Sequence, residues 1–176
     1  GKGANQADAA ARMCDTRDAV RMIGCVGNDG PAEVMLNSLR SAGANVDEVL
    51  RRESAASGIA MILVEDSGQN EIIIAAGANE TLTIADVQAK AELLRRSQSL
   101  VLQLEIPMSC VREALDIARA AGVMTVLNPA PYHSAAREFL PLCDLVIPNE
   151  REAEQLCGVA VTDLASAEAA AQAIQA

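Results

Sequence analysis

The sequence predicts an α/β fold: a three-layer αβα arrangement with a mostly parallel, doubly wound sheet as its middle layer and a small antiparallel β lid set into it. Three observations lead there. Short apolar runs alternate with segments of helical period along most of the 176 residues. Most of those runs are apolar on both faces, as strands buried between two helical layers must be. Two runs, 58–64 and 72–76, are instead separated only by a polar, turn-forming stretch. With no helix between them they pair antiparallel.

Composition bounds the class. A chain of 176 residues, 51% hydrophobic and 22% charged, is globular and makes one domain or most of one. Aromatics are 1%, so the core is aliphatic. The net charge is −10, and 12 of the 14 basic residues are arginine. An acidic, aromatic-poor surface suits neither nucleic acid nor an anionic membrane. No apolar run approaches the ~20 residues that span a bilayer, and the first residues carry no signal-peptide pattern, so a cytoplasmic location is expected. Cys14, Cys25, Cys110, Cys143 and Cys157 are odd in number, with no CxxC spacing and one histidine to accompany them. They read as small buried residues in a reducing compartment, not as a zinc set. Asn79-Glu80-Thr81 matches a glycosylation sequon only by chance on that reading.

The chain opens on Gly1-Lys2-Gly3-Ala4-Asn5-Gln6 and runs on into Ala7, Ala9, Ala10 and Ala11. This predicts a tight loop feeding a helix N-terminus, where unpaired N–H groups and the helix dipole suit an anion or a ring of hydroxyls. Asn5 adds a donor and an acceptor, and Lys2 a charge. It is not a Walker A loop, because Gly3 stands where a hydroxyl should follow the lysine. A glycine hinge before a surface helix is the competing reading.

Residues 19–27 read as a buried strand whose ligand-facing end is Gly24-Cys25-Val26-Gly27. Asn28-Asp29-Gly30-Pro31 is a turn into a helix with Val34, Met35, Leu39 and Ala42 on one stripe, stopped by Gly43. Gly24, Gly27 and Gly30 have the wrong first spacing for a dinucleotide fingerprint. The hairpin 58–76 turns through Glu65-Asp66-Ser67-Gly68-Gln69-Asn70. Its apolar residues on both faces need cover, from a lid's site or a partner subunit's matching hairpin. Thr83 to Asp86 opens a helix as a capping box, with Leu93 and Leu94 inward and Arg95-Arg96 at its end. Strands follow at 100–104, 124–127 and 145–147. Helices follow at Ser109–Ala121, at Glu150–Cys157 and irregularly near Ala135–Leu140, and Thr162 or Ser166 caps a last one.

Ligands of such sheets bind at the strands' carboxyl ends. There the sequence places Glu105-Ile106-Pro107, Asn128-Pro129-Ala130-Pro131 and Pro148-Asn149-Glu150-Arg151-Glu152. Polar groups and rigid prolines are expected along one rim.

These segments, in this order, resemble the ribokinase-type (PfkB) carbohydrate kinases. The opening hexapeptide is similar to the family's first signature, and Gly24 to Asp29, Gly77-Ala78-Asn79, Gln103 to Pro107, Leu127 to Pro131 and Pro148 to Glu152 follow in its spacing. The likeness covers essentially all of the sequence and is nearest to the ribokinase branch. It implies ATP-dependent phosphorylation of the 5-hydroxyl of D-ribose. It implies a sugar held by Gly1, Lys2, Gly3, Ala4, Asn5 and Glu105, a nucleotide near Asn149, and Mg²⁺ with Glu152 as an outer-shell ligand. A monovalent cation, K⁺, in the complete enzyme and a homodimer formed through the β lid are also implied. Fructokinase, ketodeoxygluconate kinase and nucleoside kinase are the alternatives within the family; a non-catalytic sugar-binding or dimerisation module is the alternative outside it.

The departures set a further expectation. The sequence begins inside a motif and ends in a helical pattern, so it reads as part of a longer enzyme. The family's first strand, first lid segment and Gly-Ala-Gly-Asp signature are not in it, and no Gly-Asp pair occurs. No residue is assigned as the catalytic base, and the 176 residues alone are expected to be inactive.

Overall fold

The computed structural model describes residues 1–64, 68 and 70–175. The expected hairpin turn lies mostly outside the described residues. The chain packs as two compact units, Gly1–Leu82 with Glu105–Pro107, and Thr83–Leu104 with Met108–Ala176.

In the first unit, α1 (Lys2–Met13) buries Ala7 and Ala11 against α2 (Gly30–Ala42). Alanines at that contact let the two helices come close. The core adds Val26, Ala32, Leu36, Leu39, Ala44 and Val46. Asp29 caps α2 by accepting from Ala32 N–H at 3.0 Å, and Gly43 closes it at φ 101°. The stripe predicted for α2 is corrected at Val34, which is 73% exposed. At 100° per residue Val34 lies opposite the buried line Ala32–Leu36–Leu39.

Strand β1 (Gly24–Gly27) pairs in parallel with β2 (Val49–Arg52). The predicted strand 19–27 is thus only four residues of regular ladder, preceded by a single bridge from Arg21 to Asn45. The sequence reading had no strand at 49–52. Strands β3 (Ile59–Val64) and β4 (Asn70–Ala75) form the expected antiparallel hairpin, with Ile59 opposite Ala75 and Met61 opposite Ile73. A 3₁₀ turn, Gly77–Thr81, follows.

In the second unit, β5 (Ser99–Leu102), β6 (Met124–Leu127) and β7 (Leu145–Val146) run parallel in that order. Strand β6 has the bounds that its apolar run predicted, while β5 and β7 are each one residue shorter than theirs. The helix expected from Thr83 is two short ones, α3 (Ile84–Ala89) and α4 (Ala91–Arg96), meeting at Lys90. The Thr83–Asp86 capping box is present as predicted. Helix α5 (Met108–Ala120) buries Cys110, Val111, Ala114, Leu115 and Ala118. Then come α6 (Ala136–Phe139), α7 (Glu150–Cys157) and α8 (Leu164–Gln175).

The cap of α8 needs correction. Asp163, not Thr162, accepts from the Ser166 N–H at 2.8 Å, while Ser166 Oγ accepts from the Thr162 and Asp163 N–H groups. Cysteine burial also holds only in part, since Cys25 and Cys110 are buried, Cys143 and Cys157 half-buried, and Cys14 exposed. Every strand pairing outside the hairpin, among the described residues, is parallel. No helix among them is long and apolar enough to cross a membrane.

Candidate functional site

The opening hexapeptide is helical from Lys2 onward, so the expected tight loop is the first turn of α1 itself. The Asn5 N–H already reaches Gly1 O at 3.1 Å. The alanine-rich run propagates the helix back to its start, and Gly1 is left as an N-cap with no side chain to offer. The missing acceptor comes from far along the chain. Glu105 Oε2 accepts from the Lys2 N–H at 2.7 Å. A carboxylate there satisfies an orphan donor and faces the positive end of the helix dipole. Gly1 permits it, because a Cβ at that position would stand 2.7 Å from Glu105 Oε2.

Gly1, Lys2 and Glu105 are therefore brought together, with Gly3 and Ala4 half-buried in the same turn. Gly1, Ala4 and exposed Asn5 line an open cleft of about 1030 Å³, whose other walls include Gly30, Pro31, Gly58 and Ile59. Asp8 and Arg12, an i,i+4 ion pair at 2.7 Å, border it further along α1. The cleft mixes the Asn5 amide, the Ser38 hydroxyl and the Asp8–Arg12 ion pair with apolar walls that include Val34, Met35 and Ile59. That mixture matches a polyhydroxylated small molecule: donors and acceptors for hydroxyls, a smooth face for C–H groups.

A second cluster in this unit was missed from the sequence. Asp29 accepts from Ser57 N–H at 2.7 Å and from the Ser57 hydroxyl at 2.6 Å, besides capping α2. The Ser57 hydroxyl, with the Ser57 and Ala32 N–H groups, holds the Asp29 carboxyl below the usual carboxylate range. Asn28-Asp29-Gly30-Pro31 signals the cap, but nothing local signals Ser57.

Asn149 and Glu152 belong to the second unit. Asn149 is the N-cap of α7, and its Oδ1 accepts from Glu152 N–H at 2.8 Å. Glu152 answers with Oε2 on the Asn149 N–H at 3.0 Å and Oε1 on Asn149 Nδ2 at 3.1 Å. The box fixes a carboxylate that is only 8% exposed. Each oxygen has one protein donor and a second lone pair left over. Each oxygen can therefore accept from one further donor beyond the box. Among the described residues no group of three or more His, Cys, Asp or Glu could hold an ion by itself. Asn128 Nδ2 donates to Ile147 O at 2.8 Å and so ties together the carboxyl ends of β6 and β7, just ahead of Asn149.

The sequence profile of the pfkB family of carbohydrate kinases matches residues 1–176. The chain belongs to that family. Among its pfkB relatives, the ribokinase of Schizosaccharomyces pombe is 42% identical over 154 residues, which are 87% of this chain and 48% of that protein. The deoxyribokinase of Salmonella typhimurium is 38% identical over 178 residues, covering 99% of this chain and 56% of the relative. A solved ribokinase of Arabidopsis thaliana, in complex with ribose and ATP, superposes with a TM-score of 0.87 at 27% identity, over 99% of this chain and 56% of its own. The chain thus spans about half the length of the pfkB relatives it matches. The αβα, ribokinase-like fold expected from the sequence is the fold of these kinases.

Proposed function

We propose that the protein containing this chain is a ribokinase, transferring the γ-phosphoryl group of ATP to the 5-hydroxyl of D-ribose. The observation that carries the reading is the bond from the Lys2 N–H to Glu105 in the first turn of α1, the turn whose Gly1, Ala4 and Asn5 line a cleft. Two segments marked as sugar-binding by resemblance, 103 positions apart, form one structure. In this reading Gly1, Lys2, Gly3, Ala4 and Asn5 offer the first turn of α1 to the sugar. Glu105, with Oε2 on Lys2, accepts from a sugar hydroxyl. A buried hydroxyl left without such a partner costs about 1–3 kcal/mol, which is the source of selectivity.

Asn149 serves the nucleotide, and Glu152 holds a water of the Mg²⁺ that accompanies ATP. The metal would neutralise phosphate charge; the residues of this chain contribute the fixed carboxylate and its capping amide. K⁺ activation and a cytoplasmic location are part of the same proposal. So is a homodimer through the hairpin, where Met61, Ile62, Val64, Ile73 and Ile74 are each more than half exposed.

A coupled ADP-release assay of the full-length protein tests the reading, with D-ribose, 2-deoxyribose, fructose and adenosine side by side. Ribose is expected to give the highest kcat/KM. A preference for 2-deoxyribose would move the assignment to the reading favoured by the deoxyribokinase relative, and no turnover of any of the four would remove it.

A further inference from the structure

The foot of the hairpin, where β3 starts and β4 ends, is clasped by groups that none of the predicted site residues includes. The Asp29 carboxylate takes three donors: Ala32 N–H at 3.0 Å, Ser57 N–H at 2.7 Å and Ser57 Oγ–H at 2.6 Å. Ser57 Oγ in turn accepts from Gly27 N–H at 3.0 Å. Ser57 is 7% exposed. One side-chain pair thus joins the end of β1, the first turn of α2 and the residue just before Gly58.

The two legs of the hairpin are also pressed together. Ala78 N–H donates to Ala56 O at 2.8 Å. A Cβ on Gly58 would stand 2.6 Å from Ala76 O, and one on Gly77, at φ 57°, 2.5 Å from Ala56 O. A foot this tight transmits its position to the next residues. Those residues, Gly58 and Ile59, line the cleft shared with Gly1, Ala4 and Asn5.

We propose that Asp29 is a positioning residue: through Ser57 it sets the hairpin foot and, with it, the Gly58–Ile59 wall of the cleft. The functional half of this inference rests on the cleft being the sugar site; the structural half does not. A carboxylate suits the task because it only accepts, and the three converging groups all donate. An amide keeps a single acceptor oxygen and turns its other end into a donor facing the Ser57 N–H.

Asp29→Asn in the full chain separates the two duties of the residue. Asparagine caps helices as well as aspartate does, so α2 keeps its start. Hydrogen exchange is expected to quicken about tenfold at the amides of residues 57–64, the worth of one charge-assisted hydrogen bond, and to stay within about twofold across α2. Ser57→Ala should reproduce this, and Ser57→Thr, which keeps the hydroxyl, should restore slow exchange. Where ribose is turned over, KM for ribose rises about tenfold in Asp29→Asn with kcat within about twofold. Unchanged exchange at 57–64, or equal quickening across α2, overturns the clasp. Quickened exchange with an unchanged KM overturns the positioning role. Absence of ribose turnover sinks the ribokinase reading instead, and exchange alone then decides the clasp.

Discussion

The main-chain N–H of Lys2 and the carboxylate of Glu105 meet at 2.7 Å, although 103 positions separate them. The contact makes Glu105 the helix cap that Gly1 cannot supply, and the proposed function adds a second task, accepting from a sugar hydroxyl. Glu105→Ala should remove both. Urea denaturation is expected to show a loss of about 1 kcal/mol, the usual worth of an N-cap. Glu105→Gln can retain the bond to Lys2 through its carbonyl oxygen, so its stability loss should be the smaller of the two. Its remaining group is a donor, so ribose affinity should still fall. Equal stability of all three proteins would show that the contact does not hold the helix.

Glu152 offers a cleaner separation. Glutamine at the third position of a helix completes a capping box as glutamate does. Glu152→Gln should therefore keep the bond from the Asn149 N–H, give up only the one from Asn149 Nδ2 and lose less stability than Glu152→Ala, while raising the Mg²⁺ concentration needed for half-maximal kinase activity. Glu152→Ala should lose activity and about 1 kcal/mol of stability together. Unaltered Mg²⁺ dependence in Glu152→Gln would leave the residue a helix cap and nothing more.

Acid should loosen the fold through carboxylates held below their ordinary range, Asp29 and Asp144 among them. The Ser57 hydroxyl, then the Ser57 and Ala32 N–H groups, lower the pKa of Asp29; the Thr125 N–H, then its hydroxyl, lower that of Asp144. A carboxylate whose folded pKa is depressed contributes its full stabilisation above the unfolded value, about 3.9, and loses it as pH falls through the folded value. Melting temperature should be insensitive to these groups above about pH 5 and fall below about pH 4. Asp144→Asn should make that fall shallower. A fall of the same steepness in the variant would remove Asp144 from the account.

The five cysteines should divide by exposure. Burial first, and then the negative charge of Asp144, push the Cys143 thiol up to about 11. The thiolate is the reactive form, so Cys143 should resist iodoacetamide at about pH 8 until the protein unfolds. Cys14 is exposed and should be labelled in the native state, while buried Cys25 and Cys110 should not. Peptide mapping by mass spectrometry after a short pulse reads the order, and native labelling of Cys143 ahead of Cys14 would contradict it.

What could be read ahead of the structure was local. The turn Asn28 to Pro31, the stop at Gly43, the Thr83–Asp86 box and α7 between Asn149 and Gly158 all sit where their residues announce them, because a cap is written within four residues. Strand β2 was invisible because Val49-Leu50-Arg51-Arg52 is half charged. Arg51 pairs with Glu33 at 2.7 Å and Arg52 bonds Thr81, so the arginines are accommodated at a polar margin instead of a core. Val34 misled because a valine in a helix suggests an inward face, whereas its angular position points outward. The Asp29–Ser57 pair and the Glu105 cap on α1 join positions 28 and 103 apart, and no periodicity encodes a partner at that distance. Their residue types were visible; their partnership was not.

Calorimetric titration of the full-length protein with D-ribose tests the central claim most directly, with Asn5→Ala and Glu105→Gln run alongside. The parent protein should bind one ribose per chain, and each variant should bind it about tenfold more weakly or worse, as expected for one lost hydrogen bond to a buried hydroxyl. No heat from ribose with the parent, or an affinity unchanged by both substitutions, would contradict a sugar site built where α1 begins against Glu105.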